Sequence, residues 1–385
     1  MLGESFAIGS GYPYCVSSGK NLDVHFLFTF CSFSTHTQFF RFSHDVHMSS
    51  ALAQRPAEPA PIPEKRELTT EPRLSDKVFR GVVTSGGLSS LIILGLIFIF
   101  LLYEGYSTIH SQGIHFITGS NWQAILNDNN QFDAKNSHFG IAAMLTGTLI
   151  ISAIAIVVGV PVSVFSAIFL VFYAPEFIKR TMVTIVDLMA AFPSILFGLW
   201  GLFILDPSGE YWAKLLYKYM HWIPFFNMPK DALYFQKSPF IAGLVLAVMI
   251  IPIVTSISRE ILSQTPLDRI QAAYALGATR WSMIRSVAFP YARSGVVGAS
   301  MLGLGRAMGE TVAVFSVLNI VYQINWHILL SAGGSVASMI ILKFGEASPQ
   351  EVKALMAAGL VLFIVTLLVN LAADAIVNRT GKSGR

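Results

Sequence analysis

Long apolar runs separated by shorter polar connections make up most of this chain. Six runs are long enough to cross a bilayer as helices: residues 82–103, 141–173, 183–205, 239–261, 296–320 and 354–377. A crossing helix needs about 20 mainly apolar residues. The second run exceeds that, so either Pro161 kinks it or its end projects into water. The pattern predicts an all-α membrane protein with six transmembrane helices over residues 82–377.

The fifth run breaks the apolar rule near its centre. Arg306 and Glu310 stand there, one helical turn apart. A charge at that depth costs roughly 2.5–3.5 kcal/mol on insertion scales. Such residues face a bundle interior or a watery path, or they neutralise each other as a four-apart pair. Arg before Glu is the weaker order for such a pair, which favours a path. Gly295, Gly298, Gly303, Gly305 and Gly309 recur along the same run. Small residues allow close helix packing, and those beside Arg306 leave room for a ligand or a partner helix. Asp187 lies about one turn inside the third run, where it either pairs with a base such as Arg180 or takes part in gating. Pro193 and Pro252 mark kinks in runs three and four. Asp374 lies near the end of the sixth run, facing water or a neighbouring base.

Composition agrees with the class. The chain has 385 residues, 54% hydrophobic and 12% charged, with a mean hydropathy of +0.60. An ordinary soluble domain has about 25% charged residues. The net charge of +4 does not imply nucleic acid, because the basic residues flank apolar runs. Residues 1–47 differ from the rest: they are rich in Phe, Ser and His and hold both cysteines, Cys15 and Cys31. They lack the basic start, clean apolar core and cleavage site of a signal peptide. They read as a doubtful N-terminal extension, with Met48 as the start, or else as a disordered tail. The histidines there lack a compact ligand spacing, and no metal site is expected. Residues 48–81 read as a disordered cytoplasmic segment.

Orientation follows from Lys and Arg. If residues 48–81 are cytoplasmic, segments on that side hold sixteen basic residues against seven on the other. Both termini, including the tail 378–385, are then cytoplasmic. Loops 104–140, 206–238 and 321–353 face outward. The middle one carries Tyr211, Trp212, Tyr217, Trp222 and Phe225, suited either to the membrane interface or to a binding surface.

The cytoplasmic loop 263–294 has a pattern of its own. Leu267, Ile270 and Tyr274 form one helical face, Gly277 interrupts it, and Trp281, Ile284 and Val287 resume it until Pro290. This predicts a short amphipathic hairpin that lies on the membrane or docks into another protein. Its sequence, QAAYALGATRWSMIRSVAFP over residues 271–290, resembles the EAA loop of bacterial ABC-importer permeases. Ala272, Ala273, Gly277 and Pro290 match at the required spacing. Gln271 replaces the family's Glu, Val287 its Ile and Phe289 its Leu. The run through GRAMGET at residues 305–311, together with FGLWGLF at 197–203, is similar to phosphate-specific (Pst) importer permeases of the PstC type. That resemblance covers most of residues 75–377.

The resemblance implies a type I ABC importer permease (MetI-like) fold and an inner-membrane subunit forming half of a phosphate pore. It implies a PstA-like partner subunit, two copies of an ATP-binding subunit and an extracytoplasmic phosphate-binding protein. Gln271, Ala272, Ala273, Gly277 and Pro290 would then couple to the ATPase. Arg306 is the candidate contact for the passing anion, Glu310 the candidate group that holds or releases Arg306, and Thr311 a further hydrogen-bond donor. No G-x-x-x-x-G-K-[ST] loop is found, so no cofactor and no enzymatic activity are expected of this chain. A permease for sulfate or molybdate is the nearest alternative. A secondary transporter or channel leaves the hairpin unexplained.

Overall fold

The structure, a computed structural model, describes residues 74–125, 137–229 and 234–381. The expectations for residues 1–47, including both cysteines, and for 48–73 lie outside it. Every main element is helical. Helix α1 is Leu74–Gln112 and α2 His115–Thr118; a two-stranded antiparallel ribbon, β1 (Trp122–Gln123) and β2 (His138–Phe139), follows. Then come α3 (Ala142–Ile168), α4 (Glu176–Ala190), α5 (Ser194–Trp200), α6 (Asp206–Met220), α7 (Pro239–Ser263), α8 (Leu267–Ala275), α9 (Arg280–Met283), α10 (Phe289–Gly309), α11 (Val312–Val317), α12 (Val336–Phe344) and α13 (Pro349–Gly381).

Among the described residues, four helices are long and apolar enough to cross a membrane, or five if one sharply bent pair counts as a span. Runs two, four and six appear as α3 with its extension to Tyr173, α7 and α13, near their expected limits. Run one is longer than expected: α1 begins at Leu74, so residues 74–81 are helix and not a disordered segment. Likewise α13 continues to Gly381, into the expected tail.

Runs three and five depart from straight helices. The third is bent by 97° between α4 and the helix that starts at Ser194. Pro193 takes an extended ψ of 137°, which ends one helix and aims the next. Helix α4 is amphipathic and buries no side chain completely. The crossing direction is therefore carried by the second limb. That limb runs from α5 through a wide turn with an i→i+5 bond (Asp206 N–H to the Gly201 carbonyl) into α6, which carries it into the loop before α7. The fifth run is interrupted at Glu310, whose ψ of 128° separates α10 from the short α11.

The core is layered along the helices. At one end Phe116, Trp122, Phe139, Met144, Leu355 and neighbours bury the ribbon and α12 against α3 and α13. Here the Trp122 Nε1–H donates to the buried Glu351 carboxylate at 2.7 Å, tying the ribbon to the first turn of α13. Nearby, burial and then the Glu351 charge push the Tyr322 phenol up to about 12, so it stays neutral. In the middle, Ile151, Phe197, Leu246, Ile250, Ala313 and Val317 join α3, α5, α7 and α11. At the other end Ile168, Leu262, Met283, Ile284 and Ala292 seat the hairpin against α3 and α7.

Small residues set the spacing of these helices. Gly243 faces Ile154, and Gly159 faces Ile250, across the α3–α7 contact. Ser163 donates to the Gly159 carbonyl at 2.7 Å and lies 3.3 Å from the Ile251 carbonyl across that contact. A Cβ on Gly147 would collide with the Gly334 carbonyl, whereas one on Gly95 in α1 would meet open space. Gly147→Ala is expected to cost about 1–3 kcal/mol by overpacking, and Gly95→Ala to be neutral or better. Thermal unfolding of the two variants in detergent checks this, with equal midpoints as the contrary result.

Candidate functional site

The break at Glu310 separates the two charges that a straight helix would hold together. Arg306 sits in the last turn of α10 and is exposed in this chain. Glu310, past the helix end, is only 9% exposed, and its Oε1 lies 3.5 Å from the Ala313 N–H at the start of α11. Among the described residues the ion pairs are Glu176–Lys179, Glu210–Lys214 and Asp187–Arg259, so Arg306 and Glu310 form none. The self-neutralising pair is therefore absent from this conformation. Thr311 is half-buried. Its carbonyl accepts from the Phe315 N–H at 2.9 Å and lies 3.4 Å from the Ser338 hydroxyl of α12. Its own hydroxyl appears in none of the described hydrogen bonds. Non-helical backbone at membrane depth survives where protein or a watery cavity surrounds it, and this break is held between α5, α7 and α12.

Arg306 lines a cleft of about 840 Å³ with Ile253, Gly298, Met301, Leu302, Gly305, Leu367, Asn370, Leu371 and Asp374. The glycines of α10 divide accordingly. Gly295 and Gly303 are filled by Ile261 and Val254 of α7, while Gly298 and Gly305 open onto the cleft. Tight packing and room beside the guanidinium are thus both present, on adjoining stripes of one helix. Asn370 is a residue the sequence reading missed. Its only signal is a lone amide in an apolar run, four residues before Asp374.

Asp187 does not pair with Arg180. It accepts from the Ser256 hydroxyl at 2.8 Å and lies 3.9 Å from the Arg259 guanidinium, both on α7. The acid thus ties the bent third run to the helix that leads into the hairpin.

The hairpin forms as expected, with two corrections. Gly277 sits at φ +81°, a left-handed position suited to glycine, and ends α8. The Thr279 hydroxyl then caps α9 by accepting from the Ser282 N–H. Pro290, however, does not stop the helix. A wide turn over Ile284–Ala288 shifts the bonding to i→i+5, and the chain runs on into α10 with the proline in its first turn. The expected apolar face is also divided. Ile284 is buried, and Ile270 and Val287 pack partly against the same core. Leu267, Tyr274, Leu276 and Trp281 point outward, with Leu276 90% exposed. Ala272, Ala273 and Pro290 line a groove of about 590 Å³, crossed where the Arg269 guanidinium stands over the Tyr291 ring. Gln271 is exposed outside that groove.

Residues 159–382, more than half of the chain, match the family of binding-protein-dependent transport system inner membrane components. The chain is 42% identical to the phosphate transport system permease protein PstC 2 of Mycobacterium tuberculosis, over 79% of this chain and 92% of that protein. It is 41% identical to PstC of Mycobacterium leprae over 72% and 85%, and 36% identical to PstC of Haemophilus influenzae over 76% and 90%. The chain belongs to the PstC family of inner-membrane permeases. A permease of this class works with a separate ATPase and a substrate-binding protein, and it is not itself an enzyme.

For a PstC-family permease, the exposed Trp281 offers an aromatic anchor of the kind that dominates docking surfaces, with the exposed Leu276 extending its apolar surface. Leu276→Asp or Trp281→Ala is expected to reduce co-purification of the ATPase subunit at least fivefold without lowering the amount of permease in the membrane. Unchanged co-purification would show that neither residue anchors the ATPase.

Proposed function

We propose that this chain forms half of the pore of an ATP-driven phosphate importer, side by side with a PstA-like subunit. Two copies of an ATPase bind the cytoplasmic hairpins, and an extracytoplasmic binding protein delivers phosphate from outside. Gln271, Ala272, Ala273, Gly277 and Pro290 belong to the coupling hairpin, which passes ATPase closure to α7 and α10. Both termini face the cytoplasm in this reading, which the distribution of Lys and Arg supports.

The observation that carries this reading is Arg306, exposed in a cleft between α7, α10 and α13, in a run whose apolar sequence implies membrane depth. In lipid that position would be costly; against a second subunit across a watery path it is useful. A guanidinium offers two parallel donors to a phosphate. The substrate itself comes from the relatives, whose names specify phosphate transport. Glu310, buried at the helix break, is the group that receives or releases Arg306 when the pore changes state. Thr311 offers its free hydroxyl beside that break.

Uptake of labelled phosphate, with sulfate and molybdate in parallel, tests the reading in phosphate-starved cells lacking and then regaining this chain. Restored uptake of phosphate alone is expected. Arg306→Ala should then lower the rate at least tenfold at equal amounts of assembled complex. Restored uptake of another oxyanion would replace phosphate as the substrate, and an unchanged rate in Arg306→Ala would remove Arg306 from the path.

A further inference from the structure

The same cleft holds a second charge for which nothing yet accounts. Asp374 of α13 lines it together with Arg306 and is exposed in this chain. The ion pairs of the described residues include neither group. Opposite charges thus share one cleft without touching.

The helix directions decide what Asp374 can do. With the hairpin on the cytoplasmic side, α10 runs outward and α13 runs inward. Side chains on a helix lean toward its N-terminus. Arg306 therefore leans toward the cytoplasm, and Asp374 leans outward, so the two lean toward each other. Asp374 is the twenty-sixth residue of α13, about 37 Å along the helix from Pro349 at 1.5 Å per residue. From residue 354, where the sixth run begins, the distance is about 30 Å, the thickness of the hydrocarbon core, so Asp374 stands near the cytoplasmic mouth, below Arg306. Asn370, one turn above Asp374, places its amide nitrogen 3.8 Å from where a Cβ on Gly305 would be. Its Oδ1 is buried without a hydrogen-bond partner. An acceptor left open beside Arg306 is suited to a guanidinium that moves.

We infer that Asp374 is the exit counter-charge of the pathway. It takes the Arg306 guanidinium as the anion leaves inward, and Asn370 steadies that guanidinium between the two positions. This rests on the import reading above and extends it to the release step. While the anion is bound, Arg306 engages it and Asp374 stands free. Once the anion passes inward, the carboxylate neutralises Arg306 and repels a returning anion. The cleft then resists refilling from the cytoplasmic side, where phosphate is already present.

The complete complex in proteoliposomes, with the binding protein, tests this. Asp374→Asn is expected to lower the maximal rate of labelled phosphate transport at least fivefold, with KM for the delivered phosphate changed less than twofold. Inhibition by phosphate added on the ATPase side should strengthen at least threefold. Asp374→Glu should restore both properties, and Asp374→Ser carries the same expectation as Asn should the amide disturb assembly. A wild-type rate and wild-type inhibition in Asp374→Asn would overturn the inference. So would equal impairment in Asp374→Glu, which would indicate packing and not charge. If the wild-type complex moves another oxyanion and not phosphate, the substrate reading fails instead, and the same variants measured on that anion decide Asp374.

Discussion

Hydrocarbon offers no water to a freed backbone group or to a charge, and the structure around Arg306 follows from that constraint. Each backbone donor and acceptor at this depth needs a partner within the protein, and each charge needs a second charge or a watery cavity. The break after Gly309 meets the first demand by lying between α5, α7 and α12, with the Thr311 carbonyl near the Ser338 hydroxyl. The cleft meets the second by collecting Arg306, Asn370 and Asp374 on one face of α10 and α13. An adjoining stripe of α10 packs through Gly295 and Gly303 onto α7. One helix is thus packed along one stripe and lines a cleft along the next.

The same logic links the cleft to the cytoplasmic surface. From the hairpin, the chain passes through the wide turn at Ile284–Ala288 straight into α10, without a flexible joint between them. A displacement of α9 is therefore delivered to the helix that carries Arg306. Helix α7 enters the hairpin from the other side, and Asp187 ties it to the bent third run through Ser256 and Arg259. Packing at Ile284, Met283 and Leu262 keeps these parts together, while Leu276 and Trp281 stay available to a partner.

Hydropathy made the class, the hairpin and several spans legible, because insertion energy depends on composition over about 20 residues. Run four, expected over 239–261, is Pro239–Ser263 in the structure. Hydropathy is blind to hydrogen-bond register. The stretch 296–320 stays apolar across Glu310, so the break does not show, and Arg306 and Glu310 read as neighbours. Pro193 was visible as a kink, but not as a 97° turn. Pro290 was read as a stop because a proline ring clashes with i→i−4 bonding; the i→i+5 turn before it removes that clash. Arg180 attracted attention as a partner for Asp187 by closeness in sequence, although two helical turns separate them and α7 stands nearer. Asn370 is neutral and isolated in its run. Only the placement of α13 beside Gly305 gives it meaning.

If α10 lines a pathway, the face bearing Arg306 meets water and not lipid. Leu302→Cys lies on that face beside Arg306. In a background with Cys15→Ser and Cys31→Ser, a charged, membrane-impermeant thiol reagent applied to the assembled complex reads its environment directly. The account predicts labelling of Leu302→Cys that ATP and delivered phosphate modulate, and none of Leu96→Cys on the exposed apolar surface of α1. Absence of labelling at Leu302→Cys in every nucleotide state would contradict it.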